Sequence, residues 1–208
     1  MVAEPTGDAV GRTSPQDVPS RTDGSGAFKL ATWNIRSGRN GGLESALRVL
    51  DALGVDIALL TETELTKGIY TRWSSGYSVI ATDAKSAYQG GVALCIRKGE
   101  LFEVEEAIVR GPNVISFQLV TGQARYYAVG AYIPPSDLQT LEQVKDAWQQ
   151  CPKGCKPILL GNLNINLESP QNERDEIIAE ECNFHNLSDM SHNFKQWHQP
   201  MVQERWLW

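Results

Sequence analysis

The chain has 208 residues with 19 Lys plus Arg and 25 Asp plus Glu, so its formal net charge is −6. Hydrophobic residues at 41% and charged residues at 21% are typical of one soluble globular domain, not of a disordered or fibrous chain. No apolar run approaches the roughly 18 residues of a membrane span, and the N-terminus lacks the pattern of a secretory signal. A pI of about 5.1 argues against tight nonspecific nucleic-acid binding, but it does not exclude an enzyme that touches nucleic acid locally.

Residues 1–27 differ in composition from the rest of the chain. They contain three Pro, four Gly and three Ser, and they contain no aromatic residue. Such a segment cannot bury enough apolar surface to order itself. We therefore expect a disordered tail over residues 1–27 and one domain over residues 28–208.

Downstream of the tail, the hydrophobic pattern predicts strands that alternate with helices. The first strand candidate ends at Asn34, and an apolar stripe from Leu43 to Leu53, followed by Gly54, predicts the first helix. Ser136 and Gln139 have the spacing of a capping box ahead of a second helix. Strands are predicted at residues 28–33, 55–60, 77–81, 91–97, 102–109, 114–120, 125–133 and 157–160, and helices at 43–53, 138–148 and 172–183.

Polar residues stand where several of these strands end. Asn34, Glu62, Asn162 and Asn164 follow apolar strands directly, and Tyr132 precedes the Pro134-Pro135 pair that stops another strand. Each alone could be an ordinary turn residue, since Asn is common in turns. In α/β proteins, however, sites are built at the carboxyl ends of strands, so the set predicts a functional site.

The cysteines leave a second kind of site open. Cys151 and Cys155 form a C-x3-C pair, and Cys182 and His185 could complete four ligands for zinc. The usual zinc or redox spacing is C-x2-C, so four reduced thiols of an intracellular protein, with Cys95 in a strand, are the simpler interpretation.

Six short motifs carry a family resemblance. The chain resembles the endonuclease/exonuclease/phosphatase superfamily over about residues 28–208, and the later motifs are closest in style to endonuclease domains of LINE-type retrotransposons. The motifs are TWNIR at 32–36, LLTET at 59–63, GGVA at 90–93, AYIPP at 131–135, LGNLN at 160–164 and LSDMS at 187–191.

The resemblance implies an α/β fold and a set of roles. The fold would be a four-layer sandwich of two packed mixed β-sheets flanked by helices, and DNA would be the ancestral substrate. Asn34 would help to hold phosphate and metal, Glu62 would bind Mg²⁺, and Tyr132 would contact the phosphate. Asn162 occupies the position of an Asp that activates the attacking water in active members, and Asn164 would orient the phosphate.

Elementary chemistry explains why phosphodiester hydrolysis needs such residues. A hard Mg²⁺ ion prefers carboxylate oxygens and screens the anionic phosphorus. Water is a poor nucleophile at neutral pH, so a carboxylate or imidazole must accept its proton. Neutral donors such as Asn and Tyr fix orientation without repelling the substrate.

Two departures from the family pattern decide the interpretation. The amide of Asn162 cannot accept a proton at neutral pH, and losing a general base costs about a hundredfold to ten-thousandfold in rate. The terminal Ser-Asp-His motif of active members is also absent, because Ser188-Asp189 is followed by Met190, and His192 matches a different position. We therefore expect Mg²⁺ binding to be weak or lost.

The last residues predict an incomplete domain. The chain stops near a Trp-x-Trp segment, ahead of the family's final strands, so we expect a C-terminally truncated sandwich. An apolar patch with Trp197, Trp206 and Trp208 would then be exposed, and the oligomeric state stays open.

Three hypotheses about function follow. The first is a degenerate endonuclease domain of retrotransposon type, inside the cell in the nucleus or cytoplasm, with little or no hydrolysis. The second is an active Mg²⁺-dependent nuclease or phosphatase with an unusual site. The third is a noncatalytic binding module on the same scaffold, and none of the three involves a membrane.

Overall fold

The computed structural model describes residues 28–66, 70–86, 89–98, 102–122, 124–135, 137–165, 170–184 and 206–207. The predicted tail at 1–27 lies outside these residues, as do the LSDMS motif, His185, His192, Trp197 and Trp208. The predicted division into tail and domain therefore stays a prediction. No helix of the described part of the chain is both long and apolar enough to cross a membrane.

The first half of the chain forms one mixed five-stranded sheet and one helix. Its spatial order is β1-β2-β5-β4-β3; β1 and β2 are parallel, and the other pairs are antiparallel. The elements are β1 (Leu30–Asn34), α1 (Gly42–Ala52), β2 (Ile57–Thr61), β3 (Tyr70–Ser74), β4 (Tyr77–Ala81) and β5 (Val92–Arg97).

The second half repeats this plan with two helices. Its sheet has the order β10-β9-β8-β7-β6, in which β8 and β9 are parallel and the other pairs antiparallel. The elements are β6 (Phe102–Gly111), β7 (Val114–Thr121), β8 (Arg125–Tyr132), α2 (Leu138–Gln149), β9 (Lys156–Asn162), α3 (Glu173–Phe184) and β10 (Trp206–Leu207).

Three apolar clusters hold four layers together. The central cluster, with Leu59, Phe117 and Leu160, fills the space between the two sheets. A second cluster buries α1 on the outer face of the first sheet, and a third buries α2 and Ile178 of α3 on the outer face of the second. The predicted four-layer α/β sandwich of two mixed sheets is thereby confirmed.

Gly130 on β8 permits the close approach of the two sheets. A Cβ atom at this position would lie 2.6 Å from Cδ1 of Leu59 on β2, well inside van der Waals contact. A side chain there would force the sheets apart at the strands that carry the polar residues.

The prediction of the α2 cap was wrong by one residue. The N-cap is Asp137, whose Oδ1 accepts a hydrogen bond from Thr140 N at 3.0 Å and whose Oδ2 accepts one from Thr140 Oγ1 at 2.9 Å. Asp caps a helix as well as Ser does, so the sequence alone does not decide whether Ser136 or Asp137 is the N-cap.

Strand β3 was missed in the sequence. It pairs with β4 through a two-residue turn in which Ser75 and Gly76 both have positive φ, at 48° and 81°. Such turns favour glycine, so Ser75-Gly76 between two strand-forming segments was the signal that could have found this hairpin.

Candidate active site

The two parallel strand pairs, one in each sheet, end in polar residues. On β1 and β2, Asn34 is the register partner of Thr61, and Glu62 follows directly. On β8 and β9, Tyr132 is the register partner of Asn162. Since parallel strands end at the same edge of a sheet, each sheet presents its polar residues together.

Glu62 interacts with residues of both sheets at this edge. Nδ2 of Asn34 donates a hydrogen bond to Oε1 of Glu62 at 2.7 Å, and the Glu62 carboxylate lies near the hydroxyl of Tyr132. Burial and this carboxylate both raise the pKa of Tyr132 well above its ordinary value. The phenol is therefore a neutral donor at physiological pH.

The backbone around Asn34 fixes the orientation of its amide. Oδ1 of Asn34 accepts a hydrogen bond from Arg36 N at 3.0 Å, which leaves Nδ2 to face Glu62. Ile35 N donates to the carbonyl of Thr61 at 3.1 Å and extends the pairing of the two strands by one residue. Glu62 itself has a φ of 53°, in the left-handed region that non-glycine residues adopt rarely.

Gly90 and Gly91 support the segment that carries Glu62. The carbonyl of Gly91 accepts from Thr63 N at 3.2 Å, and that of Gly90 accepts from Glu64 N at 2.9 Å. A Cβ atom on Gly91, whose φ is 87°, would lie 2.5 Å from Oγ1 of Thr63. The GGVA motif thus has a physical cause, since any side chain here would displace the loop after β2.

The end of β9 depends on Gly161. Its φ is 138°, and a Cβ atom there would collide with the backbone carbonyl of Ala131 on β8. Ile133 N donates to the carbonyl of Asn162 at 3.0 Å, so the segments that follow β8 and β9 remain paired as they leave the sheet. This close approach places Asn162 beside Tyr132.

Asn164 is tied back onto the same two chain segments. Its Nδ2 donates to the carbonyl of Ile133 at 3.0 Å, and its backbone N lies 3.3 Å from Oδ1 of Asn162, which accepts a hydrogen bond. Asn164 has a positive φ of 48° and is exposed. One hydrogen of its amide is thereby used inside the protein, and the second is left for a ligand.

All five predicted site residues therefore lie along one edge of the sandwich. Asn34 is hydrogen-bonded to Glu62, and the Glu62 carboxylate lies near the Tyr132 hydroxyl. Asn162 and Asn164 lie on the neighbouring strand end and are linked to each other. Their roles toward a substrate remain predictions.

Arg174 on α3 is a contributor that sequence reasoning missed. Its guanidinium is buried and donates to the carbonyl of Pro134 at 3.0 Å and to the carbonyl of Asn164. It stands in a polar, highly charged helix segment, where a charged side chain is normally solvated, so the sequence carried no signal for this contact.

The site offers a cation one carboxylate. Within the described ranges, no three His, Cys, Asp or Glu side chains come together as a ligand group, and no Lys or Arg forms an ion pair with Glu62. Glu64, two residues on, lies 3.9 Å from Nε of Arg39. Glu62 is therefore the carboxylate that could hold an ion such as Mg²⁺, which takes few protein ligands and keeps most of its water.

Comparison with known proteins identifies the fold. No protein-family model matches the sequence, and no curated protein matches it. Among solved structures, the endonuclease domain of TRAS1, a telomere-specific non-LTR retrotransposon, aligns with a TM-score of 0.60 at 14% identity, covering 86% of this chain and 83% of that one. The AP endonuclease LMAP of Leishmania major aligns with a TM-score of 0.59 at 17% identity, covering 91% of this chain and 83% of that one.

Identities this low show the fold alone. Both structures belong to the endonuclease/exonuclease/phosphatase superfamily, and this chain has the fold of that superfamily. The resemblance predicted from the six motifs is confirmed at this level.

Proposed function

We propose that the chain is an endonuclease-like domain of retrotransposon type whose site has lost most or all of its hydrolytic activity. The observation that carries the proposal is the position of Asn162, which is the register partner of Tyr132 at the edge where the polar side chains meet. By the resemblance, this position activates the attacking water. An amide there leaves the water without a group that accepts its proton at neutral pH.

The remaining residues suit the binding of a phosphodiester. Asn34, Tyr132, Asn162 and Asn164 are neutral donors, which can hold anionic oxygens without adding charge. The raised pKa of Tyr132 keeps its hydroxyl protonated, so that it can donate a hydrogen bond to a phosphate oxygen. Glu62 would hold Mg²⁺, and a bound ion would screen the negative charge of the phosphate.

We further propose DNA as the substrate class from which this site derives. One structural neighbour is an AP endonuclease and the other is the endonuclease domain of a retrotransposon. A DNA-directed domain would act where DNA is found, and we propose the nucleus or the cytoplasm.

A plasmid-nicking assay tests the loss of activity. Supercoiled plasmid is incubated with the full chain in Mg²⁺ and in EDTA, alongside the Glu62→Gln variant, which keeps the shape of the side chain and removes its charge. We expect the same background rate in all three conditions. Nicking that requires Mg²⁺ and disappears in Glu62→Gln would contradict the proposal and favour an active enzyme with an unusual site.

A noncatalytic binding module is the second candidate, and the neutral donor set favours it. One carboxylate fewer at this edge means weaker repulsion of a phosphate backbone. Fluorescence anisotropy of a short DNA duplex in EDTA distinguishes a binding module from a degenerate domain. The binding of wild type is compared with that of Asn162→Asp. If the chain is a binding module, Asn162→Asp should bind the duplex more weakly than wild type does. If it is only a degenerate domain, neither protein should bind the duplex.

A further inference from the structure

We propose that Arg174 is a positioning residue, which fixes the spacing between Tyr132 on β8 and the two amides, Asn162 and Asn164, that follow along β9. The inference rests on where these side chains lie and not on whether the domain hydrolyses DNA. It concerns a residue on α3 that lies outside the motifs of the candidate site.

Arg174 joins two chain segments that follow the parallel strands β8 and β9. One segment leaves β8 after Tyr132 and includes Pro134, and the other leaves β9 after Asn162 and includes Asn164. Nη1 of Arg174 donates to the carbonyl of Pro134 at 3.0 Å, and Nη2 donates to the carbonyl of Asn164. A single planar guanidinium therefore spans both segments two residues beyond the paired strand ends.

The surroundings of Arg174 show that this contact is built into the fold. Its side chain is 9% exposed, and the Asp175 side chain, 4% exposed, lies 3.8 Å from Nη2. Oδ2 of Asp175 accepts a hydrogen bond from Gln171 N at 3.1 Å, and Asp175 N donates to Oδ1 of Asn172 at 3.1 Å. The start of α3 is thus anchored around the arginine, and the two carbonyls and the Asp175 carboxylate near its Nη atoms offset the cost of burying its charge.

The same segments are joined a second time by Asn164, whose Nδ2 donates to the carbonyl of Ile133. The orientation of this amide depends on the position of the Asn164 backbone, which Arg174 holds through its carbonyl. Lys cannot replace Arg here, because one ammonium group on a flexible stem does not present two donors in a fixed plane. Arg174→Lys keeps the charge and removes the bridge.

The matched control is Arg110→Lys. Arg110 also bridges several acceptors: it donates to Ser116 Oγ at 2.9 Å and Tyr127 OH at 3.3 Å on the second sheet, and to Gln150 Oε1 at the end of α2 at 2.5 Å. Tyr127 lies on β8 five residues before Tyr132, so Arg110 acts far from the strand ends. Both substitutions replace a bridging arginine by lysine, and they differ in which part of the sheet loses its bridge.

The first experiment is native-state amide exchange followed by ¹H–¹⁵N NMR. The amide of Ile133, which donates to Asn162 O, reports on the strand ends, and the amide of Val129 reports on the middle of β8. In Arg174→Lys we expect exchange at Ile133 to rise about tenfold relative to Val129, because local opening no longer breaks a hydrogen bond to a charged group. In Arg110→Lys this ratio should not rise, because Arg110 contacts Ser116, the register partner of Val129, and not the strand ends. Equal acceleration at both amides in Arg174→Lys would overturn the inference, since that is what global destabilisation produces.

The second readout is the ¹H–¹⁵N signal of the Asn164 side-chain amide. Global destabilisation does not move the signals of the folded state, whereas a changed hydrogen bond to Ile133 does. We expect the Asn164 signal to shift in Arg174→Lys and not in Arg110→Lys, and an unshifted signal in Arg174→Lys would overturn the inference.

Wild-type protein provides a test that needs no variant. A guanidinium held by two carbonyls rotates slowly, so the Nη hydrogens of Arg174 should give resolved signals. One averaged signal would contradict the bridge even if Arg174→Lys fails to fold. None of these measurements requires metal or turnover, so their outcome is separate from that of the nicking assay.

Discussion

The two halves of the candidate site differ in chemistry although each lies at the end of a parallel strand pair. The first-sheet half, Asn34 and Glu62, contains a carboxylate that is fixed by a neutral amide. The second-sheet half, Tyr132, Asn162 and Asn164, contains only neutral side chains. Each of its two amides is hydrogen-bonded to the backbone, because Asn162 Oδ1 accepts from Asn164 N and Asn164 Nδ2 donates to Ile133 O.

This difference separates two requirements of phosphodiester hydrolysis. Holding a cation needs a hard anionic oxygen, which Glu62 supplies. Activating water needs a proton acceptor, which an amide at position 162 cannot supply. In the proposed function, the first-sheet half would therefore hold a cation, while the second-sheet half would contact the phosphate without supplying a base.

Gly161→Ala should have the largest effect, because it breaks the second-sheet half. The new Cβ would meet the backbone carbonyl of Ala131, and alanine would be strained at a φ of 138°. We expect a loss of at least about 3 kcal/mol in the free energy of unfolding, measured by urea denaturation.

Gly154→Ala is the matched control for this substitution. Gly154 also has a positive φ, at 87°, but a Cβ there meets nothing within 4 Å. It should cost only the strain of left-handed backbone, about 1 kcal/mol. Equal losses in the free energy of unfolding in the two variants would show that contact with Ala131 adds nothing to the cost of a side chain at residue 161.

Glu62→Ala tests the first-sheet half. If Glu62 is the cation ligand, this variant should bind Mg²⁺ at least about tenfold more weakly than wild type, which for a weak site means no heat in titration calorimetry. Glu64→Ala serves as the control, because Glu64 has the same left-handed backbone, with a φ of 54°, and lies near Arg39 instead. Unchanged binding in Glu62→Ala would place the cation elsewhere.

Asn162→Asp tests whether the halves differ by this residue alone. A second carboxylate should strengthen Mg²⁺ binding by about tenfold, yet we expect nicking to stay at background. The 208 residues contain no Ser-Asp-His motif to stabilise the phosphate's developing charge, and one such donor contributes on the order of a hundredfold to a thousandfold in rate. Robust Mg²⁺-dependent nicking by this variant would show that residue 162 is the whole defect.

The sequence was informative where local pattern and topology agree. Apolar segments followed at once by Asn34, Glu62 and Asn162 predicted strand ends, and such ends meet at the edge of a sheet whatever the details of packing. The four-layer fold came from motif resemblance and could not have come from periodicity, which says little about how two sheets face each other.

The remainder could not be predicted because it depends on contacts between distant segments. The hydrogen bond from Asn34 to Glu62 joins residues 28 positions apart and requires left-handed backbone at Glu62, a conformation that glutamate rarely adopts. Arg174 reaches Pro134, 40 positions away, from a helix segment without an apolar stripe of its own. Neither contact has a counterpart in local pattern.

The smallest expected effect concerns two buried tyrosines, Tyr132 in the site and Tyr77 on β4, away from it. Burial raises the pKa of Tyr77 to about 12, while the neighbouring Arg97 opposes the rise; for Tyr132, the carboxylate of Glu62 adds to burial. A tyrosine whose pKa is higher in the folded state than in the unfolded state, where it is about 10, contributes stability below pH 10 that is lost at higher pH.

Each tyrosine should therefore remove about 1 kcal/mol from the free energy of unfolding between pH 10 and pH 11, since the unfolded chain releases its proton first. Urea denaturation at pH 8, 10 and 11 should show this fall reduced by about 1 kcal/mol in Tyr77→Phe and in Tyr132→Phe, and by about twice that in the double variant. At pH 8, the free energy of unfolding of Tyr77→Phe should be about 1 kcal/mol below that of wild type, because the Tyr77 hydroxyl donates a hydrogen bond to Val55 O at 2.6 Å. If Tyr132→Phe left the fall between pH 10 and pH 11 unchanged, Tyr132 would be ionising near its ordinary pKa. The hydroxyl would then be exposed to water in solution, and it would lie too far from the Glu62 carboxylate for that charge to raise its pKa.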